Sequence, residues 1–372
     1  MNIAIVHELL VKLGGAERVA KVLADMFPKA PIFTLLYNEK ACGKVFPKER
    51  VRVAPWLQKV YRAGMPRRML ISWMNTAVEN FDLTEYDLVI SSSSAFAHGI
   101  LTPVGTKHIC YCHSPARYLW DQTFSVQEQQ AHRGTLSGVK SLLLPGIFHT
   151  LRQWDEIASD RPDSILANSH TVQKRIEKYW RKPSRVLFPP VRTEEFSAQK
   201  EHGDYFLIVS ALSPFKNIDL AVRVFSRLPK HKLVIIGDGS ERKRLEAMAK
   251  ENVEFLGRKS DSVVKEYLQN CRGLLFPGED DFGIVPVEAM ACGKPVIALA
   301  KGGATETIVP EKTGIFFDNP TEHALEHALI RFFQHEPHFN TNAIREHSLV
   351  FSEETFRKGI LREIEYISQR KG

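Results

Sequence analysis

Two carboxylates eight positions apart, Asp280 and Glu288, bracket the segment of this sequence with the most chemical content. It reads Phe276-Pro-Gly-Glu279-Asp280-Asp281-Phe282-Gly283-Ile284-Val285-Pro-Val-Glu288-Ala-Met-Ala-Cys-Gly293. The pattern predicts a strand ending at Phe276, an acidic loop, and a helix opening near Gly283. Backbone N–H groups at Gly283 and Ile284 would then be free to bind hydroxyls or phosphate. Glu288 falls a little over one turn into a helix that is otherwise apolar, between Val287 and Ala289. A carboxylate buried there needs a partner, because an unpaired buried charge is costly. A ribose diol is one such partner. The plainer reading makes the acidic loop a helix N-terminal cluster favoured by the dipole, and Glu288 a hydrogen-bonded structural acid.

Four other sites could do chemistry. Lys216, in Ser210-Ala211-Leu212-Ser-Pro-Phe-Lys216-Asn217, follows a strand and precedes a helix that Asn217 is suited to cap. A lysine there can neutralise a diphosphate as a point charge, or simply be solvated. His113 follows the apolar run Lys107–Cys112 and precedes Pro115. That places it at the carboxyl end of a strand, where open α/β sheets bind ligands; the alternative is a structural histidine. Gly14-Gly15 lies between the first strand and first helix, where glycine lets an anion approach the backbone or merely makes the turn. Gly237-Asp238-Gly239-Ser240-Glu-Arg242 is only a partial dinucleotide fingerprint, with arginine at the third glycine position, so a nicotinamide dehydrogenase is disfavoured. It reads equally as a phosphate approach or as a tight turn with Ser240 as N-cap.

The elements that must position these residues alternate strand and helix. Strands are expected at Asn2–His7, Ile32–Leu36, Asp87–Ser91, Lys107–Cys112 and Ser164–Ala167, with a helix over Ala16–Phe27. Phe188-Pro189-Pro190-Val191 breaks the texture and reads as a linker. A second series follows, with strands at Tyr205–Val209, Lys232–Ile236, Val253–Leu256, Gly273–Phe276 and Pro295–Ala298. Its helices are expected at Ile218–Leu228, Ser240–Lys250, Ser262–Cys271 and Val285–Cys292. Alternation of this kind implies α/β domains with parallel sheets. Residues 1–190 and 191–351 are thus read as two α/β domains, and 352–372 as an amphipathic helix with Phe356, Ile360, Ile364 and Ile367 at helical spacing, expected to pack back on the first domain. An interdomain cleft is the expected ligand site.

Length and composition agree. The 372 residues allow two or three domains, and 44% apolar with 25% charged residues is ordinary for a globular protein. Five cysteines without a C-x-x-C pair fit a reducing compartment and no zinc site. No leader peptide or spanning segment is expected. The net charge is +7, and residues 44–68 alone carry +7, from eight basic side chains against Glu49. Trp56, Tyr61 and Trp73 accompany that run, which suits anionic lipid headgroups; a solvated face and nucleic acid are the other readings, nucleic acid the weakest.

Taken together, these motifs resemble the family 4 glycosyltransferases, retaining enzymes of the two-Rossmann-domain GT-B type. The resemblance spans nearly the whole chain. It includes Gly14-Gly15-Ala-Glu17, Tyr111-Cys-His113-Ser-Pro-Ala-Arg117-Tyr, Pro214-Phe-Lys216, Gly257-Arg258, the Asp280–Glu288 segment, Gly293-Lys-Pro-Val-Ile-Ala and Gly302-Gly303. It is strongest to a mannosyltransferase-like subgroup of bacterial surface polysaccharide assembly. The resemblance implies that Glu288 holds the donor ribose and that Asp280 contacts the transferred sugar near its reacting carbon. It puts Phe282, Gly283, Ile284 and Val285 against the donor, Lys216 and the Gly14–Gly15 amides on the diphosphate, His113 on the sugar, and Gly257–Arg258 beside the base.

Two departures from the pattern stand out: Asp280 where the family has glutamate, and Ala211 where it has a diphosphate-binding arginine. Either Lys216 with a neighbouring cation such as Arg242 compensates, or donor affinity or activity is reduced. The implied reaction needs no cofactor and, lacking a D-x-D triplet or His/Cys cluster, no metal. The expected donor is GDP-mannose and the expected acceptor a glycan or polyprenyl-linked glycan, reached from the cytoplasm at an anionic membrane surface through residues 44–68. Retention is open between a role for Asp280 and front-face attack assisted by the donor phosphate. A sugar-nucleotide or glycan binder without turnover is the alternative that Ala211 and Asp280 support, and a GT-B epimerase or phosphorylase ranks below both.

Overall fold

A computed structural model describes residues 1–124 and 137–369; the side chains of Arg68 and of residues 137–143 lie outside the description. The chain divides into two compact units, residues 1–188 with the chain from 357 onward, and residues 189–356.

The first unit is built on β1 (Ile3–His7), β2 (Leu9–Leu10), β3 (Ile32–Thr34), β4 (Leu36–Tyr37), β5 (Val51–Val53), β6 (Leu88–Ser93), β7 (Lys107–Cys112), β8 (Ser164–Ala167) and β9 (Arg185–Val186). Seven of these form one sheet of order β5-β3-β1-β6-β7-β8-β9, parallel at every pairing. The chain starts in the middle, at β1, runs out to β3 and β5, then crosses to β6 on the other side. The strands are near-continuous apolar runs, as sheets covered on both faces require. Ile5, Ile90 and Ile109 are fully buried.

Two of the differences from the sequence expectation have a clear physical reason. The Ile32–Leu36 run is broken at Leu35: β3 pairs with β1, whereas β4 leaves to pair with β2. Leu35 N–H is diverted to the Glu8 carbonyl at 2.9 Å, and the Thr34 hydroxyl donates to the same carbonyl at 3.0 Å. β5 falls inside the basic segment, hidden from an apolar-pattern reading by Arg52 at its centre. It is an edge strand, where a central charge is tolerated.

The second unit carries β10 (Tyr205–Val209), β11 (Lys232–Ile236), β12 (Val253–Gly257), β13 (Gly273–Phe276), β14 (Val296–Leu299) and β15 (Gly314–Phe317). Their order is β12-β11-β10-β13-β14-β15, again parallel throughout. Helices Ile218–Ser226 and Glu322–His335 cover one face, packing Phe225 and Phe332 around Phe206 at ring separations of 5.5 and 5.3 Å. The helix Ile284–Ala291 is buried from Pro286 to Ala291, which explains its apolar surface on every side.

The last helix, Glu353–Gln369, returns to the first unit from Arg357 onward. Phe356, Ile360, Ile364 and Ile367 are its buried stripe, and burying each isoleucine is worth ~1.5–3 kcal/mol. Within the first unit its Glu363 accepts from Ser164 at 2.5 Å and pairs with Arg185, whose guanidinium lies 3.9 Å from the Tyr366 ring. No helix among the described residues is long and apolar enough to cross a membrane. All five cysteines are buried.

Candidate functional site

In the second unit β10 and β13 are neighbours whose chains leave in opposite directions, β10 toward β11 and β13 toward β14. Loops after such strands diverge and open a crevice at the carboxyl ends. Lys216 follows β10, and the acidic loop follows β13. The structure brings them together: Lys216 Nζ donates to Asp280 Oδ1, with both side chains only partly exposed. Lys216 ends a single 3-10 turn, Pro214–Lys216, and Asn217 beyond it is left-handed at φ 48°. Asn217 stands at the N-cap of the following helix, as its sequence position suggested, but its side chain makes no capping bond. Its side-chain amide instead donates to the Pro277 carbonyl at 3.2 Å, tying the lysine loop to the acidic loop.

Gly302 and Gly303 hold the acidic loop from its other side. Gly303 N–H donates to the Asp280 carbonyl at 2.8 Å, and a Cβ at Gly303 would overlap the Phe282 backbone. Phe282 is buried against Phe351. Gly283 adopts φ 85° as N-cap of the helix Ile284–Ala291, so the backbone turns sharply and Ile284 and Val285 form its first turn. Glu288 lies in the next turn, 9% exposed. Gly257 ends β12 at φ 68° with exposed Arg258 after it.

In the first unit β1 and β6 are the diverging neighbours. Gly14 is the N-cap of the helix Gly15–Met26, and Glu17 in the first turn brings Oε2 to 3.0 Å from where a Gly14 Cβ would stand. Glu17 Oε1 lies 4.0 Å from His7 Nε2, His7 Nδ1 is 3.1 Å from Ser92 Oγ, and Ser92 Oγ is 2.8 Å from His113 Nε2. Burial alone would raise the Glu17 carboxyl, but the nearby His7 ring carries it below the ordinary carboxylate value. Burial, with His7 second, pushes the His113 imidazole down to about 3. Two other histidines of this unit are structural. His98 stacks on Trp180 with ring centroids 4.6 Å apart, and His108 Nε2 meets Ser91 Oγ at 2.7 Å; burial holds them at about 4 and about 3. No group of three or more His, Cys, Asp or Glu is arranged to hold a metal among the described residues.

Comparison with known proteins assigns this architecture. Residues 191–346 match the family of glycosyl transferases group 1. Over 394 residues the chain is 26% identical to the alpha-1,3/1,6-mannosyltransferase ALG2 of Dictyostelium discoideum, covering 86% of this chain and 87% of that protein. Over 212 residues it is 28% identical to the O-antigen chain mannosyltransferase RfbU of Salmonella typhimurium, covering 53% of this chain and 58% of RfbU. The chain is thus similar to group 1 glycosyl transferases over its second unit and to mannosyltransferases over most of its length. Its fold is that of the GT-B enzymes: HepE of Anabaena, solved in complex with UDP, superposes with a TM-score of 0.71 at 19% identity, over 98% of this chain and 100% of that one.

Three further features correct or extend the sequence reading. Ser240 is not the N-cap after Gly239; the helix begins at Arg242 with Glu241 as cap. Gly237 and Gly239 answer to packing, since a Cβ on either would overlap the backbone of Ser210 or Leu212 in the loop after β10. Arg242 reaches back over Gly257, with Nη1 2.8 Å from where a Cβ would be, while Nε binds Glu246 at 2.8 Å. The His7–Ser92 link to His113 was missed in the sequence because its members come from different strands. The one local signal was Glu17 three places after the N-cap Gly14, a position from which a carboxylate reaches back over the turn.

Proposed function

We propose that this glycosyltransferase moves a mannosyl group from GDP-mannose to a hydroxyl of a glycan or polyprenyl-linked glycan, retaining the anomeric configuration without a metal. The observation that carries it is the Lys216–Asp280 pair at the strand ends of a group 1 domain. An ammonium and a carboxylate are held there within reach of one ligand, beside the helix N-terminus at Gly283 and the buried acid Glu288. Lys216 and the Gly283–Val285 turn of the second unit meet the diphosphate and sugar, and the Gly14–Gly15 amides of the first unit are donors suited to a phosphate. Charge developing on the leaving diphosphate is stabilised by preorganised donors of this kind. Glu288 binds the ribose, Gly257 and Arg258 flank the base, Asp280 faces the transferred sugar, and His113 meets a sugar hydroxyl. Mannose is supported by the two mannosyltransferase relatives, and a polysaccharide acceptor by RfbU.

A thermal-unfolding screen tests the donor, because a ligand that binds only the folded state raises its stability. GDP and GDP-mannose are expected to raise the midpoint more than UDP or UDP-glucose. With a polyprenyl-linked glycan and EDTA present, GDP should be released and an α-linked product formed. Preference for UDP sugars overturns the donor assignment. Nucleotide-sugar binding with neither transfer nor hydrolysis replaces the enzyme by a binding protein.

The acceptor requires work at a membrane. The helix Pro55–Arg62 presents Trp56, Lys59 and Arg62 at helical spacing, and Arg67 and Met69 follow, all exposed. Trp56 and Trp73 are 42% and 44% exposed with rings 6.1 Å apart, a pair suited to the headgroup layer. Arg50 does not belong to this face. It donates to the carbonyls of Ala24, Phe27 and Ala30 and is structural. Arg68, counted in the charged run, has its side chain outside the described residues. Attraction to anionic lipid is worth about 1 kcal/mol per basic residue and fades with salt. Sedimentation with anionic vesicles should therefore be salt-sensitive and should fall in a Lys59→Glu, Arg62→Glu, Arg67→Glu variant whose GDP affinity is unchanged. Binding indifferent to both leaves these residues as a solvated face.

A further inference from the structure

His113 owes its orientation to a chain of side chains that begins two strands away. His7 and Ser92 stand directly opposite one another in the β1–β6 register, and His113 is held at the end of β7 by its N–H bond to the Ser93 carbonyl at 2.7 Å. His7 and Ser92 are 3% and 0% exposed. A hydroxyl has a single proton, so between two ring nitrogens Ser92 donates to one and accepts from the other. The charge at the far end decides the direction. In the neutral His7 imidazole, Glu17 on the Nε2 side favours a proton there and leaves Nδ1 bare. Ser92 then donates to His7 Nδ1, and its oxygen accepts from His113 Nε2–H. The reverse arrangement would aim the lone pair of His7 Nε2 at a carboxylate.

We propose that Glu17, His7 and Ser92 are positioning residues that hold His113 as the Nε2–H tautomer, so that its Nδ1 meets the substrate as a hydrogen-bond acceptor for a sugar hydroxyl. This rests on the reading of His113 as a sugar-contacting residue. Nδ1 has no partner among the described residues, and the ring is fixed edge-on to Tyr111 at 5.3 Å. Burial keeps the imidazole neutral, the state in which a tautomer has meaning. The charged or titratable groups around the chain are Glu17, His7 and, through its effect on Glu17, Lys12. The functional consequence is selectivity: a substrate must offer an O–H at this point, and a fluorine or methoxy group in its place leaves Nδ1 facing another acceptor.

The tautomer is read directly from imidazole nitrogen chemical shifts of full-length protein labelled with 15N-histidine, the His113 signals being assigned by their loss in His113→Gln. The unmutated protein should show a protonated Nε2 and a bare Nδ1. Ser92→Ala should mix the two tautomers and lower kcat/KM about tenfold with GDP affinity unchanged, and Ser92→Thr, which restores a hydroxyl, should recover both readouts. A protonated Nδ1 in the unmutated protein overturns the proposal without any variant, as does an unmixed tautomer in a folded Ser92→Ala. A mixed tautomer with undiminished transfer also overturns it, and that outcome places the failure in the sugar-contacting reading of His113 and not in the relay.

Discussion

Replacing Glu288 by alanine is expected to abolish measurable nucleotide binding, whereas Glu288→Gln keeps a weakened site. The carboxylate sits on a helix whose other residues from Pro286 to Ala291 are buried and, apart from it, apolar or small. A charge retained in such surroundings is either a structural acid or a ligand-binding one. If it takes both hydroxyls of a ribose, alanine removes two charge-assisted bonds of ~1.5–3 kcal/mol each. Even half of that total lowers affinity about tenfold to a hundredfold. Glutamine keeps one acceptor and loses the charge and the second acceptor. Calorimetric titration with GDP and UDP measures this, with circular dichroism to verify the fold. Alanine-variant affinity equal to the unmutated protein's would return Glu288 to the structural reading.

The second large effect concerns Lys216 and Asp280, which bind each other in this structure. Lys216→Met keeps the stem and removes the charge. Removal of one preorganised donor from a developing negative charge costs about 10²–10³ in kcat, so transfer should fall by that factor. Asp280→Asn separates two roles for the acid. An aspartate that serves only as counter-ion to Lys216 leaves transfer intact or improved in the asparagine variant, because the freed ammonium binds diphosphate better. An aspartate facing the reacting sugar gives slower transfer with donor affinity maintained or raised. We expect the second result, measured as a kcat loss with an unchanged or lower KM for the donor. Transfer by Lys216→Met at the unmutated rate would remove the lysine from the leaving-group chemistry.

Much of this protein was legible in its sequence, and for identifiable reasons. The strands Lys107–Cys112, Ser164–Ala167, Tyr205–Val209, Lys232–Ile236 and Gly273–Phe276 match the structure residue for residue. A parallel strand covered on both faces is an uninterrupted apolar run with polar or glycine borders. The motif glycines also announced themselves, since Gly302 and Gly303 leave room that no side chain could share with the loop beneath them. Short edge elements were hidden. β5 centres on Arg52 and β15 spans four residues, and an edge strand needs only half the apolar pattern of a central one.

What the tertiary structure alone decided is which side chains meet. Lys216 and Asp280 are 64 positions apart, and no periodicity joins them; the neighbouring of β10 and β13 does. Gly237 and Gly239, open in the sequence between phosphate approach and tight turn, prove to be where one loop passes against another. Arg50, one of eight basic residues in a run, is taken out of the charged surface by three carbonyls of the preceding helix and turn. His7, Ser92 and His113 come from three strands or strand ends and meet only because parallel register sets them side by side. Local sequence fixes backbone preference and burial, both properties of a residue and its near neighbours. Pairing of polar groups is set by sheet order and register, which belong to the whole fold.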